Sequence, residues 1–136
     1  MIGIVVVAHL GIANEMVSAT QQIIPESKNM VGVSVQQNEA PETIRNKITT
    51  AINSINNTDG ILILTDMFGG TPSNVCLSFL SEPNIEVISG VNLPMLVKLA
   101  SFGQTATFKE TTAFIQEYGQ RNIVIASDVL TGHSKK

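Results

Sequence analysis

Two side chains in this sequence could carry nucleophilic chemistry together, provided the fold brings them to one place. His9 closes the apolar run Ile2-Gly3-Ile4-Val5-Val6-Val7-Ala8, and Asp66 follows Gly60-Ile61-Leu62-Ile63-Leu64 after a single threonine. Histidine is a nucleophile as well as a general base. An aspartate holding one ring N–H fixes the tautomer and leaves the other nitrogen's lone pair free to attack. It also stabilises the ring as positive charge develops. Close behind Asp66 comes Gly69-Gly70-Thr71-Pro72. It reads as a flexible turn and a helix start, with Thr71 as cap and Pro72 at the first helical position. The unpaired N–H groups and positive end of that helix favour an anion. The hydroxyls of Thr71 and Ser73 would add donors. Nucleophile, orienting acid and phosphate cradle would then share one crevice. Singly, each has a plainer explanation: a structural histidine, an aspartate that satisfies loop N–H groups, a good helix start. Their joint location carries the functional reading.

That location depends on the elements around them. Residues 2–8 are apolar on both faces and β-branched, as a buried parallel strand reads. Further strands are expected at 30–35, 60–64, 85–88 and 122–126. Helices are expected at 11–24, ended by Pro25, at 39–55, with Pro41 in its first turn, and at 71–80. Another begins near residue 95, and a last one spans 108–118, stopped by Gly119. A short loop is expected at 103–107. The alternation argues for an α/β fold, a doubly wound parallel sheet with helices on both faces. In such sheets ligands bind beyond the carboxyl ends of the strands, where the strand order reverses. If the first and third strands are neighbours there, His9 and Asp66 converge. Asn92 and Pro94, after the fourth strand, either shape their turn or line the site. Met67 and Phe68, beside Asp66, are either core or an exposed docking patch.

Composition excludes several other functions. The chain of 136 residues is the size of one domain, read here as 1–130 with a flexible tail at 131–136. Eight basic and eleven acidic residues give a net charge of -3, with no basic stripe for nucleic acid and no basic helix for a lipid surface. No apolar run approaches the roughly 18 residues of a membrane span, and residues 2–8 lack the flanks of a signal peptide. A cytoplasmic protein is expected. Cys76 is the single cysteine, expected to be a buried spectator. No metal site is expected, because ligand-spaced clusters are missing, and no ATP-binding loop is present. His133, in the tail, is expected to be inert. Aromatic residues are 4% with no Trp, which leaves little to stack on a flavin ring.

Three stretches together resemble a known family. The strand ending in His9, the segment Leu64-Thr65-Asp66-Met67-Phe68-Gly69-Gly70-Thr71-Pro72-Ser73-Asn74, and Gly90-Val91-Asn92-Leu93-Pro94-Met95-Leu96 resemble mannose-family IIA components of the bacterial sugar phosphotransferase system. The resemblance runs over residues 1–130. It implies a sheet in the order 2-1-3-4 and a phosphoryl carrier without a cofactor. His9 would be phosphorylated on Nε2 by the phosphocarrier HPr, and Asp66 would hold the other ring nitrogen. Thr71, with Gly69 and Gly70, would lie near the phosphoryl oxygens. A IIB component on a separate chain would accept the phosphoryl group, serving membrane IIC and IID proteins, the route by which this chain would meet a membrane. The fifth strand, 122–126, would run antiparallel and pair with a second copy in a homodimer. A stand-alone regulatory phosphoacceptor is the alternative. The related subunit serving dihydroxyacetone kinase shares the histidine, but Gly-Gly-Thr-Pro-Ser-Asn argues against it. The family commonly has glycine directly after the histidine. Here Leu10 intervenes, which bears on the turn presenting His9, since glycine permits backbone angles that leucine avoids.

Overall fold

The computed structural model describes residues 1–55, 59–101 and 106–132. Most of the expected loop at 103–107, and His133 with the rest of the tail, lie outside them. Four parallel strands, β1 (Ile2–His9), β2 (Met30–Val35), β3 (Gly60–Thr65) and β4 (Ile85–Ser89), form one sheet in the order β2-β1-β3-β4. This is the expected architecture and order. The helices are α1 (Ile12–Ile23), α2 (Pro41–Asn53), α3 (Gly70–Leu77), α4 (Leu93–Ser101), α5 (Phe108–Arg121) and α6 (Ala126–Leu130).

Alternation along the strands divides the core into two layers. Ile4, Val6, Ala8, Leu62 and Leu64 pack against α1, α4 and α5 through Ala13, Val17, Leu96, Leu99 and Ile115. Val5, Val7, Ile61 and Ile63 face α2 and α3 through Ile44, Ile48, Val75 and Cys76. Both faces of β1 and β3 are therefore covered, which is why their sequences run apolar without a break. The strand order reverses between β1 and β3. Val7 pairs with Thr65 in register, so His9 and Asp66 leave the sheet side by side.

Three expectations are corrected. Residues 122–126 do not form a strand. They leave α5 as irregular chain and enter α6 at Ala126. Ile123, Val124 and Ile125 are 78%, 60% and 67% exposed. A β-branched run becomes a strand only where a sheet edge accepts it. Here the amides of Asn122 and Ile123 instead bond back to Gly119 and Gln120 carbonyls at 3.3 Å each, extending the end of α5. Second, Gly119 does not stop α5. A Cβ there would stand 2.6 Å from Met95 Sδ, so the glycine serves the close approach of α4 and α5. Third, α3 is shorter than expected. Its end tightens into a 3-10 turn at Ser78–Ser81. Helix α5 begins on a reciprocal cap: Thr107 Oγ1 accepts from Glu110 N–H at 3.1 Å, and Thr107 N–H donates to Glu110 Oε1 at 2.9 Å.

Leu62 is fully buried at the centre of the first layer. Leu62→Ala is expected to destabilise the fold by about 2–5 kcal/mol, as core leucine truncations do. Urea unfolding checks this, and a loss below about 1 kcal/mol would contradict the packing described.

Candidate active site

The ends of β1 and β3 meet through two hydrogen bonds on one oxygen. The backbone N–H of His9 donates to Asp66 Oδ2 at 2.9 Å, and His9 Nδ1 lies 2.8 Å from the same atom. An ionised carboxylate only accepts, so the proton between them belongs to Nδ1. The ring is thereby fixed as the Nδ1–H tautomer, with the Nε2 lone pair unused. Exposure is divided to match: the His9 side chain is 46% exposed and that of Asp66 18%. Burial pushes the Asp66 carboxyl upward. The bonds from the His9 backbone and ring more than offset this, so its pKa lies below the ordinary carboxylate value. Asp66 is therefore charged wherever His9 could act as a nucleophile.

His9 opens onto a cavity of about 470 Å3 lined also by Leu10, Gln36, Asn38, Thr71 and Pro72. Leu10 adopts φ +51. It takes up the left-handed geometry that suits glycine, so the turn after His9 forms despite the leucine. In the turn that leads into α3, Gly69 and Gly70 have φ +100 and +82, a conformation open to glycine and strained for other residues. Gly69, and not Thr71, is the cap residue of α3, and no side chain caps that end. Thr71 and Pro72 lie inside the first turn. Pro72 has no N–H to offer, and both residues line the cavity.

The remaining candidates are placed variously. Met67 and Phe68 are exposed, at 59% and 70%, and form an apolar surface beside Asp66. Ser73 is buried. Asn92 is engaged elsewhere: its Nδ2 donates to the Gly119 carbonyl at 3.0 Å, and its Oδ1 accepts from Met95 N–H at 3.1 Å. It joins the start of α4 to the end of α5. Cys76 is buried behind Asp66, and burial, reinforced by the Asp66 charge, pushes its thiol up to about 12. It is no nucleophile near neutral pH. Among the described residues no group of three or more His, Cys, Asp or Glu could hold a metal ion, and no helix is long and apolar enough to cross a membrane.

Sequence reading overlooked the wall made by the loop after β2. Gln36, Gln37, Asn38 and Glu39 line the His9 cavity. The signal was available, because β2 neighbours β1 and its carboxyl end must open on the same side of the sheet.

Comparison with known proteins agrees with this geometry. The family described as EIIA-man, PTS system fructose IIA component, matches residues 3–116. The fructose-specific EIIA component of Bacillus subtilis is 27% identical over 131 residues, covering 96% of this chain and 90% of that protein. The mannose-specific EIIAB component of Escherichia coli K12 is 29% identical over 124 residues, covering 90% of this chain, which spans only 38% of that longer protein. The crystal structure of phosphotransferase component EIIA from Streptococcus agalactiae superposes with a TM-score of 0.82 at 25% identity, covering 93% of this chain and 98% of that one. The mannose/sorbose-specific IIA subunit from Enterococcus faecalis gives 0.79 at 25% identity, covering 90% and 92%. With its sheet order, its paired histidine and aspartate and a family match over most of its length, the chain belongs to the mannose-type IIA components of the phosphotransferase system, which are phosphoryl carriers.

Proposed function

We propose that His9 is the phosphoryl carrier, accepting the group on Nε2 from the phosphohistidine form of HPr and passing it to a IIB component. The observation that carries this reading is the pair of bonds between His9 and Asp66 Oδ2, on a histidine whose side chain is half exposed. In the transfer, the Nε2 lone pair forms a bond to phosphorus. The donor's N–P bond breaks and its electron pair returns to the donor ring. Positive charge develops on the His9 imidazole 2.8 Å from the Asp66 carboxylate, which stabilises it. The Thr71 hydroxyl and the backbone N–H groups of Gly69 and Gly70 would receive the phosphoryl oxygens. Met67 and Phe68 supply an apolar surface on which either partner can seat, and phosphoryl transfer through a small exposed site suits a brief encounter. A relay role is favoured over a purely regulatory one because the relatives are named as fructose- and mannose-specific components of the phosphotransferase system.

We also propose a homodimer in which residues 122–125 pair with a second copy. Their exposed isoleucines and valine support it. So does a groove of about 630 Å3 along β4, lined by Val87, Ser89, Phe108 and Thr112 among others. Sedimentation velocity should find a dimer for the native chain and a monomer for Ile125→Asp; a monomeric native chain would remove the proposal.

Incubation with phosphoenolpyruvate, enzyme I and HPr should add one acid-labile phosphoryl group by intact mass, and His9→Ala should gain none. Unchanged uptake by His9→Ala would reject His9 as the carrier. Asp66→Asn is expected to slow uptake by about a hundredfold or more, from the loss of the group that orients and stabilises the ring. The same variant tests the carboxylate's contribution to stability. A carboxyl with a folded pKa below its unfolded value stabilises above the unfolded value, and that contribution disappears as pH falls through the folded one. The stability advantage of the native chain over Asp66→Asn should therefore be full near neutrality and shrink below about pH 4. An advantage that grew on acidification would contradict the direction stated for Asp66.

A further inference from the structure

Leu10 occupies a backbone conformation that a Cβ makes costly, at φ +51, one residue from the nucleophile. Such a residue persists only where its surroundings hold it. Its side chain is 59% exposed and gives little anchorage. The peptide groups on its two sides are held instead, both by the end of β2. The Leu10 N–H donates to the Val35 carbonyl at 2.9 Å, and the Leu10 carbonyl accepts from Ser34 Oγ at 2.5 Å.

Ser34 is itself fixed from several sides. Its hydroxyl has one proton, which goes to the carbonyl, and it accepts from Gln36 Nε2 at 2.9 Å. The Gln36 N–H donates to Glu39 Oε1 at 2.8 Å, Glu39 Oε2 meets Lys47 Nζ at 2.6 Å, and Lys47 Nζ donates to the Ser34 carbonyl at 2.7 Å. These contacts close a ring around Ser34. Its accepted bond polarises the hydroxyl that holds Leu10.

We propose that Ser34, braced by Gln36, is a positioning residue for His9: its bond to the Leu10 carbonyl keeps the turn in the left-handed form that presents the histidine. This rests on the reading of His9 as the phosphoryl carrier. Ser34 touches no reacting atom. It acts through the turn, because His9 places both its backbone N–H and its ring on the single oxygen Asp66 Oδ2. Two donors on one acceptor leave little room for the backbone after His9 to rotate.

A double-mutant cycle with Leu10→Gly tests this. Ser34→Ala is expected to slow phosphoryl uptake from phospho-HPr by about tenfold, as the turn relaxes into competing conformers. In the Leu10→Gly background the same substitution should change the rate by less than about twofold, because glycine adopts the turn unaided. Ring 15N NMR of the unphosphorylated proteins gives a second readout that needs no donor. Ser34→Ala should mix the Nε2–H tautomer of His9 into the native Nδ1–H form, and adding Leu10→Gly should remove the mixture. Equal slowing in both backgrounds, or no change in rate or tautomer on Ser34→Ala alone, would overturn the proposal. If Ser34→Ala fails to fold, Gln36→Met removes the brace and leaves the hydroxyl. It should slow uptake by about threefold with the same dependence on residue 10, and no slowing would overturn the role given to the brace. A native chain that takes up no phosphoryl group would defeat the reading of His9, while the tautomer comparison would still judge Ser34.

Discussion

The meeting of β1 and β3 at a single carboxylate oxygen is the constraint on which the site depends. The parallel register of the two strands brings the backbone N–H of His9 to Asp66 Oδ2, and the ring follows. Strand order decides this before any side chain is chosen. With β2 on one flank and β4 on the other, β1 and β3 are both covered on two faces and form the centre of the sheet. A nucleophile set at the end of such a strand is held by the core and yet opens outward. This would suit the carrier role proposed for His9, in which the group meets one macromolecule to be loaded and another to be discharged.

The same arrangement explains why the neighbouring loops are irregular. The loop after β4 folds back over the end of β3: the amides of Gly90 and Val91 bond to the Thr65 carbonyl at 2.9 and 3.0 Å, and Thr65 Oγ1 meets Ser89 Oγ at 2.9 Å. Strained or glycine-dependent backbone is concentrated at these strand ends, at Leu10, Asn38, Gly69, Gly70 and Gly90. The regular part of the fold satisfies its own polar groups. The strand ends do so through turns that aim side chains and amides at the crevice.

Much of this was legible in the sequence. Short runs rich in β-branched residues marked the four parallel strands, unbroken in β1 and β3, and at the ends of those two stand His9 and Asp66. What escaped depended on tertiary distance. Gly119 looks like a helix stop until Met95 is seen against it, since local propensity carries no record of a packed neighbour. Residues 122–126 have strand chemistry, but a strand needs an edge to pair with, and within the single chain they pair with neither edge of the sheet. Asn92, one residue among several polar ones after a strand, turned out to join two helices. Ser34 gave no signal at all, because its importance comes from the angle of a leucine twenty-four positions earlier in the chain.

The two edges of the sheet differ in chemistry, though a groove runs beside each. On β2, Lys47 of the neighbouring helix occupies the Ser34 carbonyl, a charged residue at a border where stray strands could otherwise add. On β4, an open groove runs beside the strand. Two molecules joined along β4 would present only their β2 borders outward, each carrying that lysine, which works against a third molecule adding and a filament beginning.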